Sequence, residues 1–240
     1  MTIAAAFYCQ DGLILSADTE VGTDIEKWHE AKIISCVESD EIRFAITGAG
    51  SWDYVKMASN KLFPRLLNAE ADLGVPFGVV EGTILEIYSG SVSADREYVK
   101  ARFDLLIAIC TPDFPVPTII RTSGSVVRSG HRFECVGTGQ VIGRHLFSKL
   151  YQPNLTLEQG AVLAAYIVGE AKEKASGVSG GTLIPALHSN GSSEVSGAKL
   201  ADLNKWFLKA EKLSLDLQKI PNGLFPIFDC VTRIIRPPFS

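Results

Sequence analysis

Thr2 is the residue of this chain best placed to do chemistry. It follows Met1 directly, and initiator methionine is ordinarily trimmed ahead of so small a side chain. Trimming would leave a β-hydroxyl and a free α-amine on one residue. An α-amine has a reference pKa of roughly 7.7–8.0, so part of it is an unprotonated base at neutral pH. A hydroxyl becomes a useful nucleophile once such a base lies within hydrogen-bond reach, and an N-terminal threonine carries its own. Met-Thr is also a common way for a protein to begin, so this chemistry depends on what surrounds Thr2.

Rival chemistries are weaker. The five cysteines, Cys9, Cys36, Cys110, Cys135 and Cys230, are odd in number and form no CxxC pair. The histidines at 29, 131, 145 and 188 are scattered, so zinc-ligand spacing is missing and no metal or cofactor is expected. Cys9, Cys36, Cys110 and Cys135 sit in apolar, strand-like runs, where a reduced, buried thiol is the usual state. Gly137-Thr138-Gly139-Gln140-Val141-Ile142-Gly143 imitates a dinucleotide loop, but its third glycine comes one residue late, and a strand-to-helix turn is the expected meaning. With net charge −4 and a pI of about 5.6, neither nucleic acid nor an anionic membrane is expected as main partner. No signal-peptide pattern opens the chain and no apolar run is long enough to span a bilayer, so a cytoplasmic protein is expected.

The elements that must position Thr2 follow from periodicity. Residues 3–9 and 13–17 read as a hairpin around Gln10-Asp11-Gly12. A polar stretch over 18–31 precedes a second strand pair at 32–37 and 42–47. Gly48-Ala49-Gly50 is expected to break that sheet, with Ser51 capping a helix to about residue 68, disturbed at Pro64. A helix over 76–88 and a polar segment come next, then short strands at 103–110, 118–122, 125–129 and 132–136. Helices are expected at 140–150 and 156–175, the latter opened by a capping box between Thr156 and Gln159. A strand over 182–188 and an amphipathic helix over 200–217, with the stripe Trp206, Leu213 and Leu217, close the reading. Blocks of strands alternating with pairs of helices predict an α+β fold of antiparallel sheets covered by helices. Its 240 residues fit a single domain, with 197–240 an extension of unassigned role.

The stretch Thr2-Ile3-Ala4-Ala5-Ala6-Phe7, then Asp11-Gly12-Leu13-Ile14-Leu15-Ser16-Ala17-Asp18, then Ala31-Lys32-Ile33, resembles proteasome β-type subunits. Thr47-Gly48-Ala49-Gly50, Gly137-Thr138-Gly139 and Ser179-Gly180-Gly181 continue the resemblance in order, over roughly residues 2 to 190. It implies an N-terminal-nucleophile (Ntn) hydrolase with a four-layer αββα sandwich. By the same resemblance Thr2 is the nucleophile and its amine handles the proton. Asp18 and Lys32 are the carboxylate and ammonium beside it, and Gly48 offers a backbone N–H to the developing oxyanion. Each role is chemically sensible: Lys32 favours deprotonation of its neighbours, Asp18 keeps that cation paired, and glycine permits close approach. Taken singly, Asp18 would be a turn residue, Lys32 a strand-edge charge and Gly48 a strand end.

Three positions depart from the family pattern. Ser176 stands where an aspartate is typical, three residues before Ser-Gly-Gly, and brings no negative charge. The missing charge should leave the amine and Lys32 in a more positive site, lowering both pKa values. Thr138 replaces a serine but keeps the hydroxyl, Ser179 matches the other supporting hydroxyl, and Glu20 stands where basic residues are frequent. Lys172-Glu173-Lys174 reads as a solvated helix end. The implied activity is threonine-type peptide hydrolysis in a self-assembled ring, with a polypeptide substrate and an ATPase unfoldase among its candidate partners. A non-catalytic ring scaffold and a small-molecule amidase on the same fold are the alternatives.

Overall fold

A computed structural model describes residues 2–22, 27–38, 42–69, 74–95, 102–111, 114–188 and 191–194. All belong to the unit Met1–Val195; residues 196–240, including the helix expected over 200–217 and its apolar stripe, lie outside the described residues.

The first sheet gathers β1 (Ile3–Cys9), β2 (Gly12–Asp18), β10 (Phe133–Gly137), β11 (Thr182–Leu183), β12 (Pro185–His188) and β13 (Gly191–Glu194). Its order is β10-β1-β2-β12-β13, with β11 also on β2, and all pairs are antiparallel. The second sheet runs in chain order through β5 (Ile33–Glu38), β6 (Arg43–Gly50), β7 (Phe103–Thr111), β8 (Phe114–Ser123) and β9 (Val126–Ser129). Strands β3 (Glu20–Gly22) and β4 (Lys27–His29) form a separate ribbon.

Side-chain alternation fixes the layering. Ala4 and Ala6 of β1, Leu13, Leu15 and Ala17 of β2, and Ala45, Ala49, Leu106, Ala108 and Ile119 of the second sheet form the layer between the sheets. The opposite face of the second sheet, including Phe44, Ile46, Leu105 and Ile107, packs on α1 (Trp52–Leu67) and α2 (Gly74–Ile87). The outer face of the first sheet meets α3 (Gln140–Leu150) and α4 (Leu157–Lys174): Phe7 packs on Phe147 with ring centroids 4.9 Å apart, and Gly160 lies against Ile14 and Cys9. The result is the four-layer αββα sandwich of antiparallel sheets covered by helices.

Several local expectations change. Gly48 to Gly50 extend β6 instead of ending it, because β7 pairs with them through Gly50↔Phe103. The polar stretch 18–31 contains the β3–β4 ribbon, and the late strand splits at Ile184 into β11 and β12. Strand β13 was not among the expected strands. Helix α1 runs through Pro64, which lies in its last turn, and Ser51 occupies the N-cap without a side-chain bond. The Thr156–Gln159 capping box forms as expected, both reciprocal bonds being present.

Candidate active site

Thr2 immediately precedes β1, and Gly137 is the register partner of Ile3. Gly137 has φ +92°, and a Cβ there would lie 2.3 Å from the carbonyl oxygen of Thr2, so the approach requires glycine. The turn after β10 then grips that carbonyl: the Gly139 N–H donates to it at 3.2 Å and the Thr138 hydroxyl at 3.3 Å. Thr138 thus supports the backbone of Thr2 and not its hydroxyl.

Thr2 is 5% exposed, Asp18 is fully buried, and Lys32 is 3% exposed. The Thr2 hydroxyl donates to Asp18 Oδ1, which also accepts the Ile3 N–H at 2.9 Å. Lys32 Nζ donates to Thr2 Oγ1 at 2.5 Å and to Asp18 Oδ2 at 2.8 Å. Both oxygens of Asp18 are therefore engaged, and the hydroxyl sits between a carboxylate that accepts its hydrogen bond and a cation facing its oxygen. An alkoxide at Oγ1 would meet that cation directly, without solvent reorganisation.

These groups come from two sheets. Thr2 and Asp18 belong to the first, whereas Lys32 leads into β5 and its carbonyl accepts the Thr47 hydroxyl of β6 at 2.9 Å. Burial pushes the Lys32 ammonium below the ordinary lysine value; the charge and hydrogen bond of Asp18, with a smaller contribution from Glu20, oppose that. The expected depression thus has desolvation as its main cause.

Gly48 lies in β6 opposite Leu105. The Ser51 N–H bonds to the Arg102 carbonyl, and the Leu105 N–H turns away to the Thr122 hydroxyl on β8. Antiparallel alternation therefore makes Gly48–Leu105 a non-hydrogen-bonded pair and directs the Gly48 N–H towards the β5 side, where Lys32 enters. A Cβ on Gly48 would stand 2.7 Å from the Asp104 carbonyl oxygen and 2.8 Å from a Leu105 methyl, so packing alone already demands glycine.

Two expected supports are not brought to the Thr2 hydroxyl. Ser176 lies exposed in the turn after α4, next to Gly177 with φ +77°. The Ser179 hydroxyl donates to the carboxylate of Glu20, whose N–H bonds to the Ser179 carbonyl, so Ser179 ties the loop to β3. The cysteines are equally remote from such chemistry: burial pushes Cys9 and Cys135 up to about 12.

Sequence reasoning missed Lys172. Its half-buried ammonium donates to Thr182 Oγ1 at 2.7 Å, and Thr182 is the register partner of Asp18. The signal was available, since Lys172 follows buried Ala161, Ala165 and Val168 at helical spacing, on the face α4 turns to the sheet.

No family model and no curated protein matches the chain. Solved structures do. Anbu (ancestral beta-subunit) from Yersinia bercovieri superposes with TM-score 0.76 at 11% identity, covering 94% of this chain and 100% of that one. Anbu from Hyphomicrobium sp. strain MC1 gives TM-score 0.72 at 15% identity, covering 93% of this chain and 100% of that one. A helical assembly of the Anbu complex from Pseudomonas aeruginosa gives 0.73 at 15%, with coverages of 93% and 100%. The fold is accordingly Ntn-like, the one these structures share. These structures correct the family named from the motifs: they are of Anbu, the ancestral beta-subunit, and not of the proteasome β-type subunits the motifs resembled. Among the described residues no helix is long and apolar enough to cross a membrane.

Proposed function

We propose that this chain is a threonine-type N-terminal-nucleophile hydrolase of polypeptides. The single observation that carries the reading is the buried contact of the Thr2 hydroxyl with both Asp18 and Lys32. Removal of Met1 converts the Thr2 amide nitrogen into an amine beside its own hydroxyl. The amine accepts the Oγ1 proton as Oγ1 attacks the substrate carbonyl carbon, and Lys32 stabilises negative charge on Oγ1. The Gly48 N–H stabilises the tetrahedral oxyanion. Collapse breaks the peptide C–N bond, the amine returns its proton to the leaving nitrogen, and an ester remains on Thr2. Water, activated by the same amine, then hydrolyses that ester.

The enzyme works as a homo-oligomer in the cytoplasm. The helical assembly of the Pseudomonas aeruginosa Anbu complex supports self-assembly of this chain, as a closed ring or as a helix. An unfolding ATPase is the partner such an enclosed site would require for folded substrates.

Intact-mass measurement on purified protein, followed by incubation with a β-lactone acylating probe, tests the reading. Loss of Met1 and one acyl group on Thr2, absent from a folded Thr2→Ala variant, are expected. Retained Met1, or acylation undiminished in Thr2→Ala, overturns it and leaves a non-catalytic scaffold. Acylation with turnover of small amides, and none of unstructured polypeptide, identifies an amidase instead.

A further inference from the structure

The run Lys172-Glu173-Lys174 is split by the helix that carries it. Lys174 turns outward and pairs with Glu170, four residues back. Lys172 continues the buried stripe of α4 and meets the sheet. On β2, Leu13, Leu15 and Ala17 point into the inter-sheet layer, so Asp18 leaves the strand on the opposite side, the one α4 covers. Thr182 stands directly across from Asp18 on that face, and its Oγ1 accepts from Lys172 Nζ at 2.7 Å. One threonine side chain therefore separates a second ammonium from the carboxylate that binds Thr2 and Lys32.

We propose that Lys172 is an electrostatic positioning residue: a second cation beside Asp18 that lowers the affinity of the Thr2–Asp18–Lys32 group for protons, which favours the free-base form of the Thr2 amine once Met1 is removed. Among the described residues the charged groups facing this point are Asp18 from β2, Lys32 ahead of β5, and Glu20 from β3, whose carboxylate is engaged by Ser179. Asp18 is already committed to Thr2, the Ile3 N–H and Lys32, so it offsets the first ammonium more fully than the second. Burial pushes Lys172 below the ordinary lysine value; Asp18 opposes this and Lys32 adds to it. The repulsion between the two ammonium groups is one energy that belongs to the pair, so removing Lys172 removes it from Lys32 as well. Its catalytic consequence rests on the hydrolase reading; the electrostatic coupling does not.

The test is a pH titration of lysine ¹³Cε resonances in the wild type, Lys172→Met and Lys172→Arg, with Lys32 assigned through Lys32→Arg. In Lys172→Met the Lys32 midpoint should rise by about half a pH unit or more, the size of a removed nearby like charge. Lys172→Arg should keep the wild-type midpoint. An unchanged Lys32 midpoint in folded Lys172→Met overturns the proposal. Should Lys172→Met not fold, the wild type decides: the Lys32 resonance must register a second step at the Lys172 midpoint, and a single step overturns the proposal. In parallel, the pH dependence of β-lactone acylation at Thr2 should have its acid limb moved to higher pH by a similar amount in Lys172→Met. A shifted Lys32 midpoint in a protein whose Thr2 is never acylated supports the coupling and sinks only the hydrolase reading.

Discussion

Lys32 holds the Thr2 hydroxyl and the Asp18 carboxylate with one ammonium. Lys32→Met keeps much of its stem but leaves Asp18 buried without that partner. Breaking a buried pair in this way costs about 3–5 kcal/mol. Urea unfolding of wild type and Lys32→Met should read that loss. β-Lactone acylation of Thr2 should fall roughly 10²–10³-fold, the size of losing a preorganised charge-stabilising donor. Cys9 and Cys135, with folded values of about 12, should resist iodoacetamide at pH 8.5 in native protein and react after unfolding; mass spectrometry of the native sample checks this. At this scale the sequence was partly legible. Asp18 and Lys32 carried no individual signal, and only their order after Thr2 marked them. The exposed position of Ser176 and the bond from Ser179 to Glu20 were not legible, because motif spacing says nothing about which way a glycine-rich turn aims its hydroxyls. Lys172 was overlooked because charge composition outweighed helical phase.

Elements place these side chains through backbone register. The Gly137 turn presses on the carbonyl of Thr2, so Gly137→Ala should lose about 1–3 kcal/mol for the positive φ alone. It should also slow acylation of Thr2 by displacing the residue, which denaturant unfolding and labelling rates measure separately. Thr156→Ala, far from that chemistry, should cost only about 1 kcal/mol through loss of the α4 cap, with labelling unchanged. Local signals such as that capping box, the β1–β2 hairpin and the β10-to-α3 turn were readable because neighbouring residues determine them. The extension of β6 through Gly48–Gly50 was not, since pairing with distant β7 outweighs the glycines' own preference. The same holds for β13, which exists by pairing with β12.

Across the whole molecule, two sheets must keep a fixed spacing for one group to form. Arg121 of β8 and Glu134 of β10 bridge them with a buried ion pair at 2.6 Å. Single replacement Glu134→Leu should destabilise by about 3–5 kcal/mol, and the double change Arg121→Met/Glu134→Leu should recover most of it, as urea midpoints would show. The layered architecture was legible from the order of strand and helix blocks, whereas this bridge was not, because nothing local links residues 121 and 134 before the sheets stack. The alanines between the sheets carry a further consequence. Thr2 rides on one slab and Lys32 on the other, so the sandwich works as a calliper whose jaws close on the Thr2 hydroxyl. Ala108→Val, well inside the filling, should open those jaws and slow acylation with every reacting group intact. Modest hydrostatic pressure should tune the same gap in the native protein, making reaction rate a ruler for core thickness.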